Sequence, residues 1–213
     1  ISLFCITMFL LLPVKHVVAQ QIWQLRDYSS ERISSYDVKG ANDDGNWKDK
    51  IKPGNTRTIG DVAGPGIIKH IWITIASNEP QHLKKIVLRM YWDGEETPSV
   101  EAPIGDFFGL GLGKYFLYES KFLSVGSQRA LNSSFEMPFR KSAKITVTNE
   151  GDQEIDAFYY NIDWEKHKTL PENTAYFHAQ YRQATPTKGW TNNWKYNGDA
   201  HINNKENTTG DAN

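Results

Sequence analysis

From residue 67 to residue 164, apolar side chains recur at every second position in short runs, with turn-forming residues between the runs. Residues 67–76 (IIKHIWITIA) place Ile67, Ile71, Ile73 and Ile75 on one side and His70, Trp72 and Thr74 on the other. Residues 84–92 (KKIVLRMYW) align Ile86, Leu88, Met90 and Trp92 on one face. A period of two belongs to a strand with one buried face. Asp93-Gly94 then reads as a tight hairpin turn into residues 95–100, where Pro98 implies a short or edge arm. Further strands are expected at 122–126, 135–139, 143–149, 155–164 and from 176 to 181. No amphipathic helix separates these runs, so a parallel α/β sheet is excluded. The pattern predicts an all-β fold, an antiparallel β-sandwich or jelly roll.

The flanks differ from this centre. Residues 3–14 (LFCITMFLLLPV) form an apolar run of signal-peptide length, followed by the small-residue pattern Val17-Val18-Ala19. The run is short for a membrane span. Residues 1–19 are therefore read as a signal peptide clipped at its start, the alternatives being a membrane anchor or a buried segment. This reading predicts export to the bacterial periplasm or exterior, with no membrane attachment after cleavage. Cys5 is the only cysteine and lies inside the leader. A mature chain without cysteine has no disulfide framework, no cysteine-based zinc site and no cysteine nucleophile. Residues 22–34 suit a short helix or turn, and residues 39–53, rich in Gly, Asn and Asp, form a long loop. Residues 20–185 make up the predicted sandwich domain. Residues 186–213 are polar, with almost no aliphatic side chains, and are expected to be a loop leading to further protein.

Net charge is -1, with no basic stripe, which argues against a nucleic-acid partner. Aromatic residues make up 13% of the chain. They suit packed sheets, and their faces also stack on sugar rings. The carboxylates Asp93, Glu95, Glu96, Glu101 and Asp106 crowd one short window. Paired carboxylates are what glycoside hydrolysis needs, one as acid and one as nucleophile or base. Each also has a structural reading: Asp93 as a turn residue, Glu95 and Glu96 as solvated, Glu101 and Asp106 as acceptors of loop amides. The run Asn42-Asp43-Asp44-Gly45-Asn46-Trp47 carries oxygen ligands but lacks the spacing of a calcium loop, and an Asx-rich turn is the simpler reading. The histidines lack zinc-site spacing. Neither a metal nor a cofactor is expected.

Four segments in order resemble one known family: Gly64-Pro65-Gly66-Ile67-Ile68-Lys69-His70-Ile71-Trp72; Tyr91-Trp92-Asp93-Gly94-Glu95 running on through Pro98 to Gly109; Met137-Pro138-Phe139-Arg140-Lys141-Ser142-Ala143; and Tyr176-Phe177-His178-Ala179-Gln180-Tyr181-Arg182. They resemble glycoside hydrolase family 172, formerly domain-of-unknown-function family 2961, from about residue 34 to 182. The resemblance implies tandem jelly rolls, of which this chain supplies the first and lacks the second, assembled as a homotrimer or homohexamer. It implies retaining, exo-acting hydrolysis of α-D-fructofuranosides, difructose anhydrides or α-D-arabinofuranosides. The family's two catalytic glutamates sit in GEGD-type and GTxxEDYF-type segments, and neither segment occurs here. The catalytic pair is thus expected C-terminal to Asn213, and the fragment alone is expected to be inactive. Trp47, His70, Trp72, Glu101, Asp106 and Phe107 are the candidate substrate-binding residues, the tryptophans for stacking and the carboxylates for hydrogen bonds. A non-catalytic carbohydrate-binding sandwich and a structural trimer-forming jelly roll are the alternatives.

Overall fold

The computed structural model describes residues 23–183; the leader 1–19 and the polar stretch 186–213 lie outside the described residues. Two sheets face each other. The larger contains β1 (Tyr28–Ser34), β3 (Gly66–Ser77), β6 (Tyr118–Glu119), β7 (Leu123–Val125), β8 (Leu131–Ser133), β9 (Met137–Phe139) and β11 (Ile155–His167). Its order is β1-β11-β3-β8-β7-β6, with β9 also pairing β3. The smaller contains β2 (Thr56–Ala63), β4 (Ile86–Trp92), β5 (Val100–Pro103), β10 (Ser142–Asn149) and β12 (Ala179–Gln180), in the order β12-β5-β4-β10-β2. The chain passes back and forth between the sheets, as in jelly rolls. The pairs are antiparallel except β12 with β5, which is parallel. This is the all-β sandwich that the alternating pattern predicts.

The core follows from that alternation. Ile71, Ile73 and Ile75 of β3, and Ile86, Leu88, Met90 and Trp92 of β4, are buried between the sheets. They meet Ile145 and Val147 of β10 and Phe158, Ile162 and Trp164 of β11 in one cluster. Fully burying one such side chain contributes about 1.5–3 kcal/mol. Sheet pairing stacks β11 on β3 from Ser77 back to Gly66.

Three local expectations change. In β3 the buried residue before Ile71 is Ile68, not Ile67. The register explains it: His70 opposes Asp163 and Ile68 opposes Trp164, so Lys69 is an extra, bulged residue. One inserted residue reverses which face later side chains take. Residues 28–34, within the stretch read as a helix or turn, form β1 instead, paired along its length with β11. Its residues 28–32 are exposed and only its last two are partly buried, so no period-two apolar signal marks it. The strand expected from Tyr176 contracts to Ala179–Gln180, although its alternation holds: Phe177, Ala179 and Tyr181 pack on the core while His178, Gln180 and Arg182 are exposed.

The Asp93-Gly94 turn is present. Both residues have positive φ, 56° and 85°, and Glu95 N–H donates to the Trp92 carbonyl at 3.0 Å, as in a type I′ turn. Pairing resumes only at Val100, opposite Met90, so residues 93–99 make a broad loop. The Asp93 carboxylate accepts backbone N–H bonds from Arg140 (2.9 Å), Lys141 (2.6 Å) and Ser142 (3.2 Å), and the Tyr176 hydroxyl donates to it. One turn residue thereby ties β4, the start of β10 and the segment leading to β12.

Candidate functional site

The predicted site residues fall on three parts of the sandwich. Trp47, His70 and Trp72 belong to the outer face of the larger sheet. His70 and Trp72 alternate outward from β3, beside Asp163 and Asn161 of β11 respectively. Across the other edge of β3, Trp72 opposes Asn132 of β8. His70 bridges two strands: Nδ1 lies 3.4 Å from Asp163 Oδ2 and Nε2 lies 3.2 Å from Asn132 Oδ1. Arg32 of β1 clamps the same carboxylate, with Nε–Oδ1 at 2.6 Å and Nη2–Oδ2 at 3.2 Å. Partial burial opposes ionisation of Asp163, but the bonds from Arg32 and His70 outweigh it and hold its pKa below the ordinary value.

Trp47 reaches this face from the loop before β2. That loop is shaped by its own carboxylates. Asp37 accepts N–H bonds from Lys39 (2.9 Å), Ala41 (2.7 Å) and Asp43 (3.2 Å), and Asp43 accepts one from Lys48 (2.9 Å). The Asp43 carboxylate, and that of Asp44, which accepts Asp37 N–H at 2.6 Å, are thus part of an Asx-rich turn. Gly45, at φ 72°, presses against Tyr159 of β11; a β-carbon there would stand 2.7 Å from the ring. Only glycine permits that conformation and that approach. Trp47 then sits edge-on to Tyr159, with centroids 6.3 Å apart and planes at 71°, and stays half exposed. The face so built offers two indoles, a carboxylate, an imidazole, a guanidinium and two carboxamides. That set can stack on a sugar ring and hydrogen-bond its hydroxyls. Arg32, Asp163, Asn132 and Asn161 are members that sequence reasoning missed. Asp163 and Asn161 were legible as the outward parity of residues 155–164; Arg32 was hidden by the helical reading of its segment.

Glu101 lies elsewhere, on the outer face of the smaller sheet. It opposes Arg89 in register and accepts Arg89 Nε–H at 2.8 Å. Asp106 and Phe107 lie on the single helical turn α2 (Ile104–Phe107), which follows β5 directly. Both Asp106 oxygens are 2.8 Å from Lys84 Nζ, which also donates to the Gly111 carbonyl at 2.9 Å. Lys84 belongs to the other helical turn, α1 (His82–Lys85). Phe107 is nearly buried, edge-on to Phe108 at 5.0 Å and Phe177 at 6.4 Å. Asp106 and Phe107 form part of the wall of a cavity of about 600 Å³, with Phe135, Phe177, Tyr181 and Arg182 among the others. Phe135 stacks on Phe122, with centroids 4.9 Å apart, and continues the aromatic row to Phe177 at 5.0 Å. This concavity is mostly apolar with a polar rim, the usual character of a small-molecule site. Phe177 and Tyr181 were legible in the alternation of residues 176–182; the nearness of Phe135 depends on sheet order.

No curated protein matches this chain. A family model described as GH172 domain-like matches residues 43–162. That span is more than half of the chain and runs from the Trp47 loop through Ile162 of β11, taking in all six candidate residues. With a two-sheet sandwich of this order beneath that match, the chain belongs to the GH172 domain-like family, a glycoside hydrolase relationship.

Proposed function

We propose that this sandwich is the substrate-shaping module of an exported, retaining exo-glycosidase. Its substrates are α-D-fructofuranosides, difructose anhydrides or α-D-arabinofuranosides. The family match over residues 43–162 carries the reading. The outer face of the larger sheet supports it, because Trp47 and Trp72 supply stacking surfaces beside the Arg32–Asp163–His70 chain. In this reading the face binds and orients the sugar, and no residue of these 213 acts as the catalytic acid or nucleophile. The glutamate pair comes from sequence C-terminal to Asn213, and the working enzyme is a homotrimer or homohexamer.

The test is hydrolysis of p-nitrophenyl α-D-arabinofuranoside and of difructose anhydride by the full-length protein, with the anomer of the first-formed product read by proton NMR. Turnover with retained configuration is expected from the full-length protein and none from the 213-residue chain. No turnover of either substrate by the full-length protein, or an inverted product, overturns the proposal.

A further inference from the structure

Exposed apolar side chains scattered singly over a surface need no explanation, but gathered ones do. Among the described residues ten large apolar side chains are exposed, and nine of them fall into two groups. The tenth is Trp47, on the His70–Trp72 face. Trp23, Leu25 and Tyr28 lead into β1, and Tyr36 and Val38 follow it. Leu112, Phe116 and Leu117 lead into β6, and Phe122 follows it. β1 and β6 are the terminal strands of the larger sheet, so the two groups stand at its opposite edges.

The groups also differ in charge. Residues 23–44 hold five carboxylates against three cations, a net -2. Two of these charges are paired outward, Arg32 with Asp163 and Asp27 with Lys168, and those two partners cancel each other. Glu31, Asp37, Asp43 and Asp44 form no ion pair among the described residues, their printed partners being a hydroxyl and backbone amides. Residues 112–129 hold three cations against one carboxylate, a net +2. None of the three is ion-paired among the described residues; Lys121 lies 5.0 Å from the centre of the Phe122 ring and Arg129 5.1 Å from that of Tyr115. An apolar, cationic edge is complementary to an apolar, acidic one. This chain carries both on opposite sides of one sheet, so it cannot join them within itself. Two copies can.

We propose that copies of this chain associate head to tail, with the β6 edge of one seated on the β1 edge of the next. Such a contact is heterologous, since different patches meet, and it repeats until the rotation closes a ring. Pairing of β6 with β6, or β1 with β1, would set like charges together. The inference rests on the homo-oligomer of the proposed function and names its contact surfaces. The test is sedimentation velocity on the full-length protein and its variants. Leu112→Ser with Leu117→Ser alters the β6 edge, and Trp23→Ser with Leu25→Ser alters the β1 edge. All four side chains are exposed, so the melting temperature is expected to stay within a few degrees of the parent. Each double variant alone is expected to fall to about a third of the parental mass or less. Lys114→Glu with Lys121→Glu, which leaves the apolar residues in place, is expected to do the same. Mixing the β6-edge and β1-edge serine variants in equal amounts is expected to raise the mass about twofold or more, because each supplies the edge that the other lacks. Parental mass in any of the three variants overturns the proposal, and is the outcome if another part of the full-length protein covers that edge. A mixture that stays at the mass of its components overturns it as well, since pairing of like edges gives no rescue. A monomeric parent overturns both this contact and the homo-oligomer, while the hydrolytic reading keeps its own assay.

Discussion

At Gly66 a β-carbon would stand 2.6 Å from the Phe139 ring, 2.8 Å from Trp164 and 2.9 Å from the Glu165 carbonyl. The first β3 residue in the Gly-Pro-Gly-Ile segment therefore needs glycine for space, where β3 pairs with both β9 and β11. Gly66→Ala is expected to lower stability by about 1–3 kcal/mol through overpacking, read as a fall in melting temperature. An unchanged melting temperature contradicts that packing. Asp93 gives a second expectation. Burial opposes its ionisation, yet the Tyr176 hydroxyl and three backbone amides outweigh burial and lower its pKa from the ordinary 3.8. A carboxyl depressed in the fold stabilises it above the unfolded pKa, and that contribution fades as pH falls through the lower folded value. Asp93→Asn keeps the turn, because Asn tolerates positive φ, but removes the charge. Melting curves from pH 7 to about pH 2 should then fall less steeply in the variant than in the parent. Identical slopes would show that the carboxylate adds nothing. As a turn residue Asp93 was legible from the Asp-Gly pair alone. Its bonds to Arg140, Lys141 and Ser142 were not, because nothing local encodes a contact 47 to 49 positions away.

Among the elements, legibility followed the depth of burial. β4 and β10, with one face in the core, announced themselves by alternation. β3 did so only from His70 onward, because the bulge at Lys69 shifts the count before it. β1 did not, because the residues that share the face of Ile33 are Ser29 and Glu31, both exposed, and its inward contact is essentially Ile33. It exists because β11 offers it an edge. The Arg32–Asp163 pair adds little to its hold, since Arg32 is 61% exposed and such surface pairs contribute about 0–1 kcal/mol. The amides of residues 28–34 are therefore expected to exchange with deuterium well before those of β3 and β10, as a locally opening edge. Equal protection of β1 and β3 in exchange mass spectrometry contradicts this. The consequence reaches function, because Arg32 orients Asp163 and Asp163 holds His70. In the proposed reading, fraying of β1 loosens one side of the surface that binds the sugar.

For the molecule as a whole, composition and periodicity were enough for a two-sheet sandwich. They could not show that six candidate residues divide among three surfaces. Glu101 and Asp106 are neighbours in sequence, but the one stands on β5 and the other on the turn of α2. Each is matched to a cation, Arg89 for one and Lys84 for the other. Trp47 is distant in sequence from His70 and Trp72, and the pairing of β3 with β11 beneath the Gly45 loop gathers them on one sheet. The account rests on that face meeting the sugar. Its most direct test is kcat/KM of full-length Trp72→Ala on p-nitrophenyl α-D-arabinofuranoside, beside its melting temperature. A loss of about tenfold or more, with the melting temperature within a few degrees of the parent, is predicted. Parental kcat/KM in the variant would contradict it.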